Sequence, residues 1–173
     1  RTIWKCPVTE MSRTKHVGLL YKQLRKDSSK SRGGMPDYLM TFIKPGDNEN
    51  HIEHTPEDFP LEQWQEWASP VWMTVNQSNV MNIRGVRAAK GQADVKHLCP
   101  LQFDVIERAL VMWSNPGDIV LSPFMGIGSE GYISLKMSRK FVGIELKDTY
   151  FKQACQHLDM EDRQGDLLEE MTG

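Results

Sequence analysis

Apolar positions in the last third of the chain recur at the spacings of helices and strands. From Pro100 to Trp113 they are three or four residues apart, which predicts a helix that opens at the proline. A strand at 118–121, a helix at 129–137 and a strand at 141–145 follow, and then a helix at 148–157. Strand, helix and strand in this order predict a parallel βαβ unit, and so an α/β fold.

The first half of the chain has a weaker pattern. Residues 2–6 and 38–43 are short and rich in β-branched and aromatic side chains, which predicts two strands paired as a hairpin with a long loop. Residues 48–96 are irregular and predict a connector, apart from a cluster of tryptophans that we expect to pack together. These tryptophans are Trp64, Trp67 and Trp72.

At 173 residues with 39% hydrophobic content, the chain is long enough for one core, and we expect a single domain. Its expected parts are a strand pair with a basic loop (1–47), the connector (48–96), a helix with the βαβ unit (97–157) and an acidic tail (158–173). Thr2-Ile3-Trp4 is typical of the middle of a strand, so we expect further sequence upstream of Arg1.

The cysteine spacing and the lengths of the apolar runs exclude several classes of protein. Cys6, Cys99 and Cys155 lie far apart and form no C-x-x-C pair, which argues against a disulfide framework and a zinc site. We therefore expect no metal and a reducing cytoplasm. No apolar run approaches the ~18 residues of a membrane helix, and no leader is recognisable, so we expect no membrane partner.

A glycine-rich turn lies between the first predicted strand and helix of the βαβ unit. Gly126-Ile127-Gly128-Ser129-Glu130-Gly131 satisfies G-x-G-x-x-G, and Glu145 ends the next strand 19 residues after the first glycine. Amides at a helix N-terminus can hold a ligand, and an acidic strand end can accept hydrogen bonds from a ribose. The alternative is a tight turn that serves only packing. Dinucleotides such as NAD and S-adenosylmethionine both remain open as ligands.

The residues around the turn favour one of these ligands. PGDIVLSPFMGIGSEG and KFVGIELKDTY, with HLCPLQ ahead of them, resemble the cofactor half of the amino-methylating (adenine-N6 or cytosine-N4) DNA methyltransferases over residues 97–157. TIWKCP and PDYLMTFIKPG resemble, more loosely, the paired strands of that family. The resemblance is nearest to phage and prophage enzymes. It implies a Rossmann-like S-adenosylmethionine-dependent methyltransferase fold with a seven-stranded sheet, of which this chain is the C-terminal portion.

The resemblance also implies the residues of a cofactor site. Ser122 stands where the family usually has aspartate, so one carboxylate of the loop is missing here. The implied S-adenosylmethionine-binding residues are His97, Pro100, Leu101, Ser122, Pro123, Phe124, Gly126, Gly128, Glu145 and Leu146.

The family's catalytic motif, D/N/S-P-P followed by an aromatic residue, has one partial match. Ser69-Pro70-Val71-Trp72 has the polar residue, one proline and the aromatic ring. It is either a degenerate catalytic motif or, as the tryptophan cluster favours, a structural segment. The resemblance places the true motif upstream of Arg1. Only about four of seven strands are recognisable, so we expect a fragment that is inactive alone and needs its missing N-terminal portion or a second copy.

A basic block interrupts a chain with a net charge of −2. Seven basic residues oppose Asp27 alone across residues 13–32, which gives +6 there and leaves −8 elsewhere. Such a block predicts contact with DNA phosphates, and a solvated loop is the alternative. The candidate DNA-binding residues are Arg13, Lys15, Lys22, Arg25, Lys26, Lys30 and Arg32.

The sequence therefore predicts an S-adenosylmethionine-dependent DNA methyltransferase in the cytoplasm of a bacterium or a phage-infected host, and it leaves open whether the biological role is restriction–modification, phage self-protection or regulation. Two alternatives remain open at this point. One is an NAD-dependent oxidoreductase that uses the same glycine motif, and the other is a non-catalytic DNA-binding module.

Overall fold

The computed structural model describes residues 1–6, 21–29, 36–81 and 99–172, without the side chains of 22, 23 and 164–172. The contacts between residues divide the chain into two compact units, 1–77 and 78–173. Each unit is described by itself, and the single domain expected from the length remains a prediction.

The first unit contains a small mixed sheet. Its central strand, β1, pairs antiparallel with β2 and parallel with β3, in the order β2-β1-β3. Lys5 and Asp37 form a 2.7 Å ion pair beside the antiparallel pair. The elements of this unit are β1 (Thr2–Ile3), α1 (Tyr21–Lys26), β2 (Asp37–Tyr38), α2 (Leu61–Ala68) and β3 (Val71–Trp72).

Trp72 is the centre of the small core of this unit. Only 1% of the residue is exposed, and its indole Nε1 donates to the carbonyl of Trp67, 2.8 Å away. Phe59 packs against Trp67 with ring centroids 5.3 Å apart. Two of the three tryptophans of the expected cluster are therefore joined, whereas Trp64 is 49% exposed on α2.

Two expectations for this unit need correction. The expected antiparallel pairing is present. The strand expected at 38–43 is limited to Asp37–Tyr38, because only two residues of β1 form backbone pairs with it. Phe42 and Ile43 are instead 86% and 89% exposed. The expected connector contains α2 and β3: an acidic residue in the first turn and an amphipathic pattern favour the helix, and β1 supplies the partner of the strand.

The second unit contains the βαβ arrangement. β4 and β5 pair in parallel with Val120 opposite Phe141 and Ser122 opposite Gly143, and α4 connects them, as the sequence predicts. The elements of this unit are α3 (Phe103–Trp113), β4 (Ile119–Ser122), α4 (Ser129–Lys136), β5 (Lys140–Gly143) and α5 (Asp148–Thr172). A parallel pair with a helical crossover is the building block of a Rossmann-like sheet.

The core of the second unit lies between α3, α4 and the sheet. Ile106 and Leu110 of α3 and Ile133 of α4 form its centre, with Ile133 fully buried. The rings of Phe103 and Tyr132 stack with centroids 5.5 Å apart. The apolar face predicted for α3 is thus the face that packs against the βαβ unit.

A buried arginine joins the ends of α3 and α4. Arg139 is 7% exposed and donates to the carbonyls of Met137 and Ser114 at 2.7 and 2.8 Å. Burial lowers the pKa of the guanidinium, and the negative charge of Asp118 opposes this shift. Arg139 therefore ties the residues just before β5 to the end of α3.

Two boundaries in this unit also differ from expectation. The helix expected to open at Pro100 begins at Phe103, because Gln102 has an extended backbone and forms a bridge with Val80. The expected acidic tail continues α5 to Thr172. The pKa of Tyr132 on α4 is raised, chiefly by burial and then by the negative charge of Glu161 and its hydrogen bond to the phenol. The hydrogen bond between Glu161 on α5 and Tyr132 links the two helices. No helix in the described ranges is both long and apolar enough to cross a membrane.

A substitution at Gly131 tests how closely α4 packs against α5 and β5. A Cβ there would lie 2.7 Å from Leu158 Cδ2 and 2.7 Å from the Phe141 ring. We expect Gly131→Ala to lower the free energy of unfolding by about 1 kcal/mol, because overpacking exceeds the gain in helix propensity. Urea unfolding measures this change. Lys136→Ala, on an exposed position of the same helix, should have little effect, and a Gly131→Ala variant more stable than the wild type would contradict the packing.

Candidate functional site

The turn between β4 and α4 has a backbone that favours glycine. Gly126 and Gly128 have φ of 56° and 90°, both in the left-handed region. Gly128 N–H donates to the carbonyl of Met125 at 2.9 Å, and Met125 N–H donates to the carbonyl of Ile144 at 3.0 Å. The turn is therefore attached to the end of the neighbouring strand before α4 begins.

The glycines of the turn have different surroundings. A Cβ on Gly128 would lie 3.1 Å from Ala154 Cβ, and Gly131 is packed against Phe141 and Leu158. Around Gly126, by contrast, a Cβ would meet no atom within 4 Å. Packing accounts for the glycines on the α5 side, whereas Gly126 borders open space.

Glu145 holds this turn by two hydrogen bonds. Its Oε2 accepts from Gly126 N–H at 3.0 Å, and its Oε1 accepts from Lys147 N–H at 2.8 Å. A carboxylate has about four acceptor sites, so each oxygen retains capacity for another donor. The sequence predicts that Glu145 accepts hydrogen bonds from a ribose; its direct bond to the first glycine is a finding of the structure, and the ribose role remains a prediction.

The residues at the strand ends differ in exposure. Ser122, which replaces the family's aspartate, is 8% exposed, and its carbonyl accepts from Ile144 N–H at 2.9 Å. Phe124 and Leu146 are 87% and 94% exposed, so both large apolar side chains border the same turn in solvent. Pro123 is also exposed.

Glu130 places a carboxylate in the first turn of α4. Burial raises the pKa of this carboxyl, and a hydrogen bond from its own backbone amide acts in the opposite direction. The N-terminus of α4 thus already carries an acidic side chain, which is favourable for the helix dipole. In the sequence Glu130 is only a variable position of the glycine motif, and its role at the helix N-terminus follows from the structure.

The other wall expected for the cofactor pocket is described only in part. Pro100 and Leu101 lie just before α3, with Leu101 38% exposed. His97 lies outside the described residues. The roles of these three residues remain predictions.

The partial catalytic motif lies in the first unit. Ser69 Oγ donates to the carbonyl of Val71 at 3.0 Å, and the carbonyl of Pro70 accepts from Thr2 N–H. Trp72 is buried, and its indole N–H is already bonded to Trp67. A ring that stacks on a base must have an open face, so this geometry favours the structural interpretation, and catalysis by these residues remains a prediction.

Only part of the basic block is described. Lys22, Arg25 and Lys26 belong to α1, and the last two are exposed in its last turn. The Arg25 guanidinium lies 4.6 Å from the centre of the Tyr21 ring. The part expected as a loop is therefore helical here. Arg13, Lys15, Lys30 and Arg32 lie outside the described residues.

A histidine that no sequence motif indicates lies at the turn. His157 on α5 places Nδ1 2.9 Å from the carbonyl oxygen of Ile127. Ala154 and His157 are three residues apart, so they lie on the same face of α5, the face that meets the turn. This spacing is the one feature of the sequence that could have indicated His157. In the described ranges no group of three or more histidine, cysteine or acidic side chains is arranged to hold a metal.

Comparison with known proteins identifies the family. The family model described as DNA methylase matches residues 5–156. Among curated relatives, DNA adenine methyltransferase YhdJ of Escherichia coli (strain K12) is 26% identical over 92% of this chain and 52% of its own length. Type II methyltransferase M1.MboII of Moraxella bovis is 29% identical over 64% of this chain and 44% of its own length.

Solved structures give shorter or more distant alignments. The M1.HpyAVI–SAM complex is 38% identical over 36% of this chain and 32% of that chain, with a TM-score of 0.35. TTHA0409 of Thermus thermophilus, complexed with S-adenosyl-L-methionine, is 22% identical over 68% of this chain and 41% of that chain, with a TM-score of 0.49.

The family match extends across both compact units, and the chain spans about half the length of the curated relatives it matches. The phage-like character suggested by the sequence remains a prediction. On the extent of the family match, this chain belongs to the DNA methylase family.

Proposed function

We propose that this chain binds S-adenosylmethionine at the turn between β4 and α4, as the cofactor-binding part of a DNA amino-methyltransferase. The observation that carries this proposal is the bond between Gly126 N–H and Glu145 beside open space. There the free acceptor sites of Glu145 can take the ribose hydroxyls, and the exposed Phe124 and Leu146 can cover the adenine. The resemblance adds Ser122, Pro123 and Gly128 to the cradle, and His97, Pro100 and Leu101 to its opposite wall.

The cofactor would supply an activated methyl group for an exocyclic amino group of adenine or cytosine. The transfer would be a displacement at the methyl carbon, with S-adenosylhomocysteine as the leaving group and the proton of the amino nitrogen released to water. The residues of this chain would hold the cofactor in line for that displacement. DNA as substrate agrees with the family, and it supports the cytoplasm of a bacterium or infected host as the place of action.

An NAD-dependent oxidoreductase is the second candidate, because the same glycine motif can receive a pyrophosphate at a helix N-terminus. Glu130 argues against it. Its carboxylate lies in the first turn of α4, where a pyrophosphate would bring further negative charge. S-adenosylmethionine has no phosphate and carries a positively charged sulfonium, so Glu130 opposes it less.

Ligand-linked stabilisation separates the two candidates. S-adenosylhomocysteine at one hundred times its dissociation constant should stabilise the fold by about 2.7 kcal/mol, whereas NAD should not. Glu145→Ala should weaken binding about ten- to hundredfold, because a charged hydrogen-bond acceptor is lost. Thermal unfolding and calorimetric titration measure both effects. Asp159→Asn, an exposed acidic change on α5, is the matched control. Stabilisation by NAD alone would overturn the proposal.

We also propose that the basic block contacts DNA phosphates. Its described part, in the last turn of α1, presents Arg25 and Lys26 to solvent. The sequence carries a formal charge of +6 over residues 13–32, and such a concentration of positive charge attracts a polyanion. A non-catalytic DNA-binding module would share this surface but would not respond to the cofactor.

The salt dependence of DNA affinity tests this surface. Each phosphate contact contributes about 0.9 to the slope of log affinity against log salt. The double variant Arg25→Gln/Lys26→Gln should therefore reduce the slope by about 2 if both residues contact phosphates. The control, Lys136→Gln/Lys152→Gln, removes two exposed charges from the second unit and should leave the slope unchanged. Equal slopes in all three proteins would exclude the role of α1.

We further propose that another polypeptide segment completes the sheet and supplies the catalytic motif. The described strands form one three-stranded and one two-stranded sheet, whereas the resemblance implies seven strands in one sheet. Apolar side chains on β4 and β5 are half or more exposed, and a further layer would bury them. These side chains are Ile119, Leu121 and Val142. A segment that carries the family's catalytic motif is the preferred partner, and a second copy of this chain is the alternative.

Methyl transfer from labelled S-adenosylmethionine to duplex DNA tests this dependence. We expect no transfer above background by the chain alone, because its described residues present no exposed aromatic ring next to a double proline. Addition of a polypeptide that carries the family's motif should restore transfer. A concentration series would reveal activity that depends on a second copy. Transfer by the monomeric chain alone would disprove the need for a partner.

A further inference from the structure

The hydrogen bond between His157 and the glycine turn has a defined direction. Nδ1 lies 2.9 Å from the carbonyl oxygen of Ile127, a residue that is only 2% exposed. A carbonyl oxygen can only accept, so Nδ1 must carry the hydrogen. The ring therefore donates from its δ position whether or not the other nitrogen is protonated.

This bond acts on one particular peptide group. The carbonyl of Ile127 and the N–H of Gly128 belong to the same peptide plane and point in opposite directions. His157 holds the carbonyl, and the carbonyl of Met125 holds the N–H at 2.9 Å. The peptide is thus fixed from both sides.

Glu145 holds the amide of Gly126, but the 127–128 peptide lies beside a glycine, whose backbone is permissive. Glycine adopts positive and negative φ with similar ease, so a peptide beside glycine can rotate at low steric cost. Gly126, one residue earlier, has no atom within 4 Å of where its Cβ would be. Close packing therefore does not hold the turn on that side.

We propose that His157 is a positioning residue that keeps the 127–128 peptide in the orientation in which the turn binds S-adenosylmethionine. The role rests on the proposed cofactor function. When the peptide rotates, the amides at the start of α4 lose their alignment, and the population competent to bind falls. The measured dissociation constant rises in proportion to that fall.

The helix that carries His157 has other attachments. Ala154 lies at contact distance from Gly128, and Leu158 packs beside Gly131. Ala154 is fully buried, and α4 and α5 remain in contact along this face. Loss of the His157 bond should therefore leave α5 in place and lower only the fraction of molecules in which the 127–128 peptide has the binding orientation.

Three substitutions at this position isolate the hydrogen bond. His157→Leu introduces an apolar side chain of similar size, removes the donor and raises helix propensity. His157→Asn places an amide N–H at nearly the same site as Nδ1, and asparagine resembles histidine in helix propensity. His157→Gln moves the donor one atom further out, to the place of the other ring nitrogen.

The dissociation constant of S-adenosylhomocysteine is measured by calorimetry, and amide exchange at 126–128 is measured by NMR. We expect His157→Leu to raise the dissociation constant about three- to tenfold and to speed exchange, since one net hydrogen bond is lost. His157→Asn should restore both values to within about twofold of the wild type, and His157→Gln should restore less.

Wild-type affinity and exchange in His157→Leu would overturn the proposal. Equal losses in the leucine and asparagine variants would also overturn it, because they would indicate ring packing instead of donation. Failure of the cofactor function has a different signature, since the wild-type chain itself would then bind no S-adenosylhomocysteine. Urea unfolding of each variant separates a loss of binding from a loss of the fold.

Discussion

The hydrogen bond from Gly126 N–H to Glu145 is the interaction on which the candidate site depends. It joins the turn after β4 to the chain just after β5, so two segments that are distant in sequence hold one local geometry. The parallel pairing of β4 and β5 makes this possible because it brings both strand ends to the same edge. A carboxylate between two backbone amides also keeps acceptor sites for a ligand with hydroxyl donors.

Helix α5 provides the second support of the turn. Gly128 allows Ala154 to approach, Gly131 allows Phe141 and Leu158 to pack, and His157 bonds the intervening backbone. The glycine motif therefore serves packing and ligand access at different positions. Of the three glycines of the motif, only Gly126 borders open space, which is why it carries more weight for function than the match to the motif as a whole.

In the strongly periodic last third of the chain, the type of each element and the order of the elements were predictable from the sequence. The apolar face of α3 and the succession of β4, α4 and β5 were evident because both a helical face and a buried strand require regular spacing. The first unit was less predictable. Its strands have two residues each, and β3 exists because β1 pairs with it, which no local pattern in residues 71–72 indicates. Helix α2 lies among residues whose irregular pattern predicts a connector.

By itself the sequence determined the α/β class, the position of the turn, the spacing between the first glycine and Glu145, and the resemblance to the DNA methyltransferases. These follow from local spacing and residue type. The tertiary structure decided that Trp72 is buried, that α5 continues to Thr172 and that His157 reaches Ile127. Each of these depends on which distant segment packs against the residue, and spacing along the chain does not specify that neighbour.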